Sequence, residues 1–161
     1  AALQAGILQN ARVAYDGCNR GAVVGFDAAS QKLSIAPEDG GQVRVVAVDE
    51  LVQCLAGVQL MGLRTDEFNG HRVQIIGIDT VRGRYQVRDS HDRVLGVRPD
   101  NCILPDGSVA RVVGLRASGP GARWNGHFGR IITFDRTRMR HVLAMHPRGQ
   151  LLSVKPRNLR V

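Results

Sequence analysis

The sequence has few aromatic residues, no long apolar run and almost no lysine. The first two shortages narrow the range of possible folds. Aromatic residues make up 4% of the 161 positions, whereas glycine occupies 19 of them. This pairing excludes a long helical bundle or a collagen and is typical of a turn-rich β protein with a thin core. No apolar run reaches the roughly 18 residues that a membrane-spanning helix needs. We therefore expect a small β protein that is soluble or peripheral.

Cysteine forms no recognisable motif. Cys18, Cys54 and Cys102 are scattered single thiols without a C-x-x-C pair, so neither a disulfide framework nor a zinc site is indicated. Isolated thiols of this kind are typical of buried positions in proteins of a reducing compartment. We therefore expect an intracellular, reducing location and no metal.

The chain has fewer negatively charged residues than positively charged ones. The chain has 22 Lys and Arg residues against 14 Asp and Glu residues, a formal net charge of +8 at pH 7, and its pI is about 10.6. Lys32 and Lys155 are its only lysines, so arginine carries nearly all of the positive charge. A chain with this balance favours acidic partners.

The main positive feature is an internal repeat. Residues 58–64 and 110–116 both end in Gly-Leu-Arg, and Asn-Gly-His recurs at 69–71 and 125–127. Residues 97–101 (Val-Arg-Pro-Asp-Asn) match residues 154–158 (Val-Lys-Pro-Arg-Asn). These matches define two copies of one unit.

The first third of the chain is a more divergent copy. Residues 21–27 overlay residues 129–135, and Gly6-Ile7 is placed opposite Gly114-Leu115. Asp27, Asp79 and Asp135 then become equivalent. The repeat predicts three units with almost no linker between them: residues 1–54, residues 55–105, and residues 106–161 with a longer first loop.

Each unit is predicted to contain about five short strands, with one long loop near its start and one turn near its end. In the middle unit, residues 73–78 are apolar and residues 84–88 alternate between polar and apolar, as strands do. No stretch supports a long amphipathic helix. We therefore predict an all-β fold of three tandem SH3-like small β-barrels.

The repeated residues resemble a small SH3-like repeat found in algal and other protist proteins, with the pattern G-L, N-G-x-x-G, D, G-R-Y-x-V and V-K-P-x-N-L. The matching positions are Asn69, Gly70, Asp79, Gly83, Arg84, Tyr85, Val87, Val97, Pro99 and Asn101 in the second copy, and Asn125, Gly126, Gly129, Asp135, Val154, Lys155, Pro156, Asn158 and Leu159 in the third. The first copy has no Asn-Gly pair and carries Val48-Asp49-Glu50 in place of the proline turn. The resemblance implies a fold and an interaction role without a reaction.

Most repeated residues are predicted to be structural. The three aspartates are expected to cap the turns that end strands by accepting hydrogen bonds from nearby backbone N–H groups, and Asn101 and Asn158 are given the same role. The predicted core comprises Val23, Phe26, Val45, Val73, Ile75, Ile78, Tyr85, Val87, Val97, Ile131, Phe134, Val142 and Val154.

The sequence carries no recognisable catalytic motif. The chain has five histidines and no H-E-x-x-H, G-x-S-x-G or P-loop pattern. Gly119-Pro120-Gly121-Ala122 lacks the Lys-Ser/Thr pair that follows a phosphate-binding loop. We therefore expect no catalytic residue, no cofactor and no enzymatic activity.

The function predicted from these features is that of a non-catalytic interaction or scaffold protein, a structural or accessory subunit docked on a larger complex. Trp124 at the tip of the longest loop is the candidate anchor, since Trp and Arg carry much of the energy at protein interfaces. The alternative is that Trp124 caps its own barrel. Recognition of proline-rich or methyl-lysine peptides is disfavoured, because each unit has only two or three aromatics. The predicted partner-binding residues are Trp124, Arg123, Arg130, Arg136, Arg138, Arg140 and Arg148.

The alternative function is a basic RNA- or DNA-binding module, for example one associated with ribosomes. Arginines crowd the third unit and could bind phosphates without reading sequence. The shortage of aromatics for base stacking counts against this alternative.

The resemblance also implies an organellar membrane complex, such as a photosystem or respiratory complex, in a plastid or mitochondrion. Small SH3-like subunits occur on the stromal face of photosystem I, and attraction to an acidic lipid surface would suit the charge of the chain. The opening residues Ala1-Ala2-Leu3-Gln4-Ala5 lack a Met and are expected to lie within the opening strand of the first repeat, as in a chain that is processed or only partly represented.

Overall fold

The structure, a computed structural model, describes residues 6–161, and these residues fold as an all-β protein. Fifteen strands and several short 3₁₀ turns make up the regular structure of this range, which contains no α-helix. The prediction of an all-β fold is therefore confirmed. Residues 1–5, which were expected to lie in the opening strand of the first repeat, are outside the described residues.

The strands form three antiparallel sheets with one strand order. The first sheet, in the order β4-β3-β2-β1-β5, contains β1 (Arg12–Tyr15), β2 (Asn19–Asp27), β3 (Lys32–Pro37), β4 (Arg44–Ala47) and β5 (Leu51–Gln53). The second, in the order β9-β8-β7-β6-β10, contains β6 (Val58–Leu60), β7 (Arg72–Asp79), β8 (Arg84–Arg88), β9 (Val94–Val97) and β10 (Cys102–Ile103). The third, in the order β14-β13-β12-β11-β15, contains β11 (Val109–Val112), β12 (Phe128–Asp135), β13 (Arg140–Met145), β14 (Gln150–Val154) and β15 (Leu159–Arg160). In each sheet the first four strands form a meander, and the short fifth strand pairs with the first.

The register of the second and third strands is the same in all three sheets. Asp27 pairs with Lys32, Asp79 with Arg84, and Asp135 with Arg140. A β-bulge interrupts the ladder three residues before each aspartate. Because a bulge is a specific backbone irregularity, its recurrence shows that the three aspartates are structurally equivalent.

The aspartates cap turns as predicted. Asp27 accepts a hydrogen bond from the Ala29 N–H at 3.1 Å. Asp79 accepts bonds from the N–H groups of residues 81 and 82, and Asp135 from those of residues 137 and 138, at 3.0 to 3.1 Å. These are Asx turns, in which a short carboxylate replaces a backbone acceptor.

The asparagines of the Asn-Gly pairs close the long first loops. Asn69 Oδ1 accepts the Leu63 N–H at 2.9 Å, and Asn69 Nδ2 donates to the Leu63 carbonyl at 3.0 Å. Asn125 makes the same pair of bonds with Leu115, at 2.8 and 2.9 Å. The following glycines have a φ of +84°, which a glycine adopts without steric cost.

The predicted role of Asn101 and Asn158 is wrong. Asn101 Nδ2 donates to the Met61 carbonyl at 2.9 Å, 40 residues away, and Asn158 Nδ2 donates to the Val113 carbonyl at 3.0 Å, 45 residues away. The N–H of each partner residue donates back to the asparagine carbonyl. These asparagines therefore tie the last turn of a repeat to its first strand and do not cap a local turn.

The proposed equivalence of Gly6-Ile7 and Gly114-Leu115 is also wrong. Gly114 follows β11, the first strand of the third sheet, whereas Gly6 precedes β1, the first strand of the first sheet. In the first repeat the long loop is reduced to the turn Asp16-Gly17-Cys18 between β1 and β2. The absence of an Asn-Gly pair from this copy follows, because there is no loop for it to close.

Most of the predicted core is buried. Eight members are buried, namely Val23, Val73, Ile75, Tyr85, Val87, Val97, Ile131 and Val154. Four are half-buried, namely Phe26, Ile78, Phe134 and Val142. The prediction that Val45 belongs to the core is wrong, since this residue is 62% exposed. The buried Val46 pairs with the core residue Leu33, and a one-residue step along a strand reverses the face of the sheet.

The cysteines only partly follow the prediction of buried thiols. Cys102 is buried, Cys54 is half-buried and Cys18 is exposed. Burial raises the pKa of the Cys102 thiol to about 12 and raises that of Cys54. Cys102 is therefore an inert packing residue.

The chain divides into two compact units. Unit 1 comprises the described residues up to Leu55 together with Gln74–Val97, and unit 2 comprises Ala56–Val73 together with Arg98–Val161. The division passes through β7. The boundaries of the three repeats therefore remain a prediction from the sequence.

Candidate functional site

Trp124, the predicted anchor, packs against its own loop. It ends the 3₁₀ turn Ala122–Trp124 and is half-buried. Its ring meets the His127 ring edge-on, with 5.5 Å between the centroids, and the Arg123 guanidinium lies 4.8 Å from the centroid of the indole. Arg123 and Trp124, two predicted partner-binding residues, are therefore neighbours in space.

The second repeat has a counterpart of this cluster. Phe68 ends the 3₁₀ turn Asp66–Phe68 and meets His71 edge-on, with 6.3 Å between the ring centroids. Both histidines directly follow an Asn-Gly pair. Because the same aromatic contact recurs, it favours the alternative that Trp124 packs its own repeat.

The other predicted arginines of the third repeat differ in their partners and in their exposure. Arg130 donates to the Gly107 carbonyl at 2.9 Å, and Arg136 donates to Gln59 Oε1 at 2.8 Å. Arg138 and Arg148 are exposed, whereas Arg140 is half-buried. Within residues 6–161, none of these five side chains forms an ion pair with a carboxylate.

A basic groove of about 520 Å³ lies in unit 2. It brings together four arginines, one lysine and one carboxylate, which are Arg116, Arg140, Arg157, Arg160, Lys155 and Asp100. We call these six residues and the space between them the basic groove. Its formal charge is +4 at pH 7, the difference between five cations and one anion.

The repeated motifs build the basic groove. Gly114, with a φ of +68°, lies against the Asn158 amide, and a Cβ at Gly114 would be 3.4 Å from Asn158 Nδ2. The bonds between Asn158 and Val113 hold the turn Pro156–Asn158 beside the end of β11. Arg116 ends one motif, and Lys155 and Arg157 belong to the other, so their charges meet where the two motifs join.

Arg140 is the single predicted partner-binding residue that lines this groove. The sequence-based prediction missed Arg116 and Lys155 because it followed the local density of arginine, whereas these two residues are distant from each other in sequence. The feature of the sequence that could have identified them is their position in the repeated Gly-Leu-Arg and Val-Lys-Pro motifs. In the second repeat, the position of Arg157 is held by Asp100, so the third repeat is the more basic of the two.

The chemistry of the basic groove suits an anion. Guanidinium groups match carboxylates and phosphates with two parallel hydrogen bonds. Among the described residues that line the groove there is no aromatic side chain, so it offers no surface on which a base could stack.

Unit 1 contains a larger groove of about 860 Å³, but its charges are balanced. Arg44 pairs with Asp16 at 2.8 Å, and Arg12 pairs with Glu38 at 2.9 Å. Exposed pairs of this kind contribute little to stability. They do, however, place a negative charge beside each of these two arginines. The strongest uncompensated charge is therefore in unit 2.

Two kinds of feature are absent from residues 6–161. These residues contain no group of three or more His, Cys, Asp or Glu side chains placed to hold a metal ion. They also contain no helix that is long and apolar enough to cross a membrane.

Comparison with known proteins gives no assignment, because no protein-family model and no curated protein sequence matches the chain.

Proposed function

We propose that this chain is a non-catalytic interaction protein, an accessory subunit that docks on a larger assembly through the basic groove of its third repeat. The observation that carries the proposal is the collection of five cations around one carboxylate in a groove of about 520 Å³. An acidic patch on a protein partner would neutralise these charges, and complementary charge both speeds association and selects the partner.

The proposal includes three SH3-like barrels at residues 1–54, 55–105 and 106–161. It is supported by the common strand order, the common register and the common bulge of the three sheets. In each sheet the fifth strand returns to the first strand, as closure of a small five-stranded barrel requires. The organellar membrane complex suggested by the sequence remains one candidate for the assembly.

A second candidate function is the binding of RNA or DNA, because phosphates would suit the same cations. The lack of aromatic lining favours an acidic protein over a single-stranded nucleic acid. The two candidates can be separated by what is captured from the source cell.

The test is a pull-down from the source cell with the wild type and the charge-reversal double variant Arg116→Glu/Arg157→Glu. The matched control is Arg138→Glu/Arg148→Glu, which reverses two exposed charges of the same repeat outside the basic groove. We expect a defined set of proteins to survive nuclease treatment, to be lost from the groove variant and to be kept by the control.

Two outcomes would contradict the proposed subunit role. If nuclease removed the captured material, nucleic-acid binding would replace it. If both charge-reversal variants lost their partners equally, the general charge of the third repeat, and not the groove, would be responsible.

A further inference from the structure

The second strand of each sheet has a bulge at an equivalent place, and the three bulges have different surroundings. The bulged residue and the two that follow it are residues 24–26, 76–78 and 132–134. We call these three stretches the bulge sites of the first, second and third repeats. The first and second have glycine in the middle, Gly25 and Gly77, whereas the third has Thr133.

The bulge site of the second repeat is filled by a turn of the first. A Cβ built on Gly77 would lie 2.6 Å from the Gly17 carbonyl oxygen and 2.7 Å from Cys18 Sγ. The Ile78 N–H donates to the same Gly17 oxygen at 3.1 Å. Ile76 is only 7% exposed. All of these residues belong to unit 1, so the turn Asp16-Gly17-Cys18 is packed directly on this strand.

The bulge site of the first repeat has the same form and is open. Val24, the counterpart of Ile76, is 47% exposed. The nearest atom to a Cβ on Gly25 would be Cβ of Ser34, its pairing partner on the adjacent strand β3, at 3.7 Å. The Gln9 side chain donates to the Val24 carbonyl at 3.1 Å, whereas Gly25 and Phe26 are half-buried.

Gly25 has no local reason to be glycine. It is not among the residues of positive φ, and a glycine inside a strand costs about 0.5 to 1 kcal/mol relative to alanine. A glycine in a strand often marks the close approach of another backbone. At Gly77 that approach is visible, and the equivalent approach at Gly25 is missing from residues 6–161.

The hydrogen-bonding direction is also shared. Phe26 pairs with Leu33 as Ile78 pairs with Tyr85, after the same bulge. Since the Ile78 N–H points away from β8 and toward Gly17, the Phe26 N–H points toward the corresponding space over the first repeat. This site thus offers a donor, a position without a side chain and an exposed apolar residue in the geometry of the filled site.

We infer that the bulge site of the first repeat, residues 24–26, binds a tight glycine turn of a partner protein. The turn would have the chemistry of Asp16-Gly17-Cys18, namely a carbonyl that accepts the Phe26 N–H and a glycine backbone that fits over Gly25. A second copy of this chain is not the expected occupant, because its own Gly17 is already packed against its own Gly77. This inference rests on the proposed function, in that it gives the interaction protein a second contact of defined chemistry.

The test uses a cyclic peptide of residues 12–22, closed between its ends, as the probe. Arg12 and Ala22 are paired in the ladder, so the closed peptide can present the same turn. Its binding to the full chain is followed by NMR shifts of the backbone amides. We expect saturable shifts at residues 24–26 with a dissociation constant of about 1 mM or lower, and slower hydrogen exchange of the Phe26 amide.

The variant Gly25→Thr introduces the residue that the third repeat carries at this position. We expect it to weaken peptide binding by about tenfold or more, since one steric clash of about 1.4 kcal/mol has that effect. Gly96→Thr is the matched control, because Gly96 is an exposed strand glycine of unit 1 outside the bulge site. A peptide with Gly17→Val, which disfavours the φ of +87° at that position, is expected not to bind.

The inference is overturned if the wild type shows no saturable shift although the peptide forms its turn, or if Gly25→Thr binds as well as the wild type. It is also overturned if the wild type dimerises in sedimentation and Gly25→Thr does not, since the occupant would then be a second copy. A pull-down whose proteins are lost with Arg116→Glu/Arg157→Glu while the peptide fails to bind would leave the proposed function standing and remove this inference alone.

Discussion

The second and third repeats share a strand order and a register, and three of the equivalent positions at which their residues differ are informative. Gly77 of the second repeat corresponds to Thr133, Tyr85 to His141, and Gly83 to Met139. In each pair the second repeat carries the residue that the local geometry favours. At two of these positions the third repeat carries a less favourable residue, namely His141 with a buried, unpartnered Nδ1 and Met139 at a positive φ. Exchanging these residues tests whether position or surroundings sets the cost.

The largest effect is expected when the second repeat receives the third repeat's residue at the bulge. Gly77→Thr places a Cβ within 2.6 Å of the Gly17 carbonyl oxygen, where backbone must move. We expect a loss of about 3 kcal/mol in the free energy of unfolding, the upper part of the range for overpacked sites. Urea denaturation, with the slope checked for constancy, measures it.

Gly25→Thr is the comparison for this variant. The same substitution in the first repeat meets no atom closer than 3.7 Å, and threonine suits a strand better than glycine. We expect no loss and a gain of up to about 1 kcal/mol. Equal losses at the two positions would show that the bulge itself demands glycine, and that the close approach of Gly17 is not the cause.

The next effect concerns His141, which takes the core position of Tyr85. His141 is fully buried and pairs with Val154 as Tyr85 pairs with Val97. Its Nε2 accepts the Leu104 N–H at 2.9 Å, so the neutral ring carries its proton on Nδ1, which has no partner among the described residues. Burial lowers the pKa of His141 to about 4.

This lowered pKa predicts a loss of stability in acid. Between a pKa of about 6.5 in the unfolded chain and about 4 in the folded chain, the unfolded chain binds the proton first. The stabilisation is therefore complete above pH 6.5 and decreases as the pH falls toward 4. From pH 7.5 to pH 5 we expect His141 to account for a loss of about 2 kcal/mol.

His141→Gln keeps an acceptor for the Leu104 N–H and removes the titration. Denaturation of both proteins at pH 7.5 and pH 5 gives the difference in pH dependence, which is independent of the cost of the substitution itself. The same pH dependence in the variant and the wild type would show that His141 does not titrate in this range.

Local features of the fold could be predicted from the sequence, and features that join distant segments could not. The capping role of Asp27, Asp79 and Asp135 was predictable because each bond spans two or three residues. The roles of Asn101 and Asn158 were missed because their partners are 40 and 45 residues away. The error at Val45 has another cause, since the short strand β4 has consecutive valines and its apolar pattern does not fix the face.

The same distinction applies to the candidate sites. Arginine density identified Arg140 but not Arg116 or Lys155, which reach the basic groove only because Asn158 joins two distant motifs. The glycine of the first-repeat bulge site was part of the repeat alignment, but nothing in the sequence distinguished it from a turn glycine. Its significance depends on the filled site at Gly77, a contact between the first and second repeats.

The smallest expected effect is at the turn that follows each aspartate. Gln31, Gly83 and Met139 lie four residues after Asp27, Asp79 and Asp135, with φ values of +61°, +65° and +55°. A side chain on a residue of positive φ costs roughly 1 kcal/mol. Because Met139 is 47% exposed, the packing of its side chain offsets little of this cost. Met139→Gly should therefore stabilise the protein by up to about 1 kcal/mol, reduced by the greater freedom of glycine in the unfolded chain. Gly83→Ala should destabilise it by about 1 kcal/mol, and urea midpoints at constant slope measure both. A destabilised Met139→Gly variant would mean that contacts of the Met139 side chain outweigh the backbone strain.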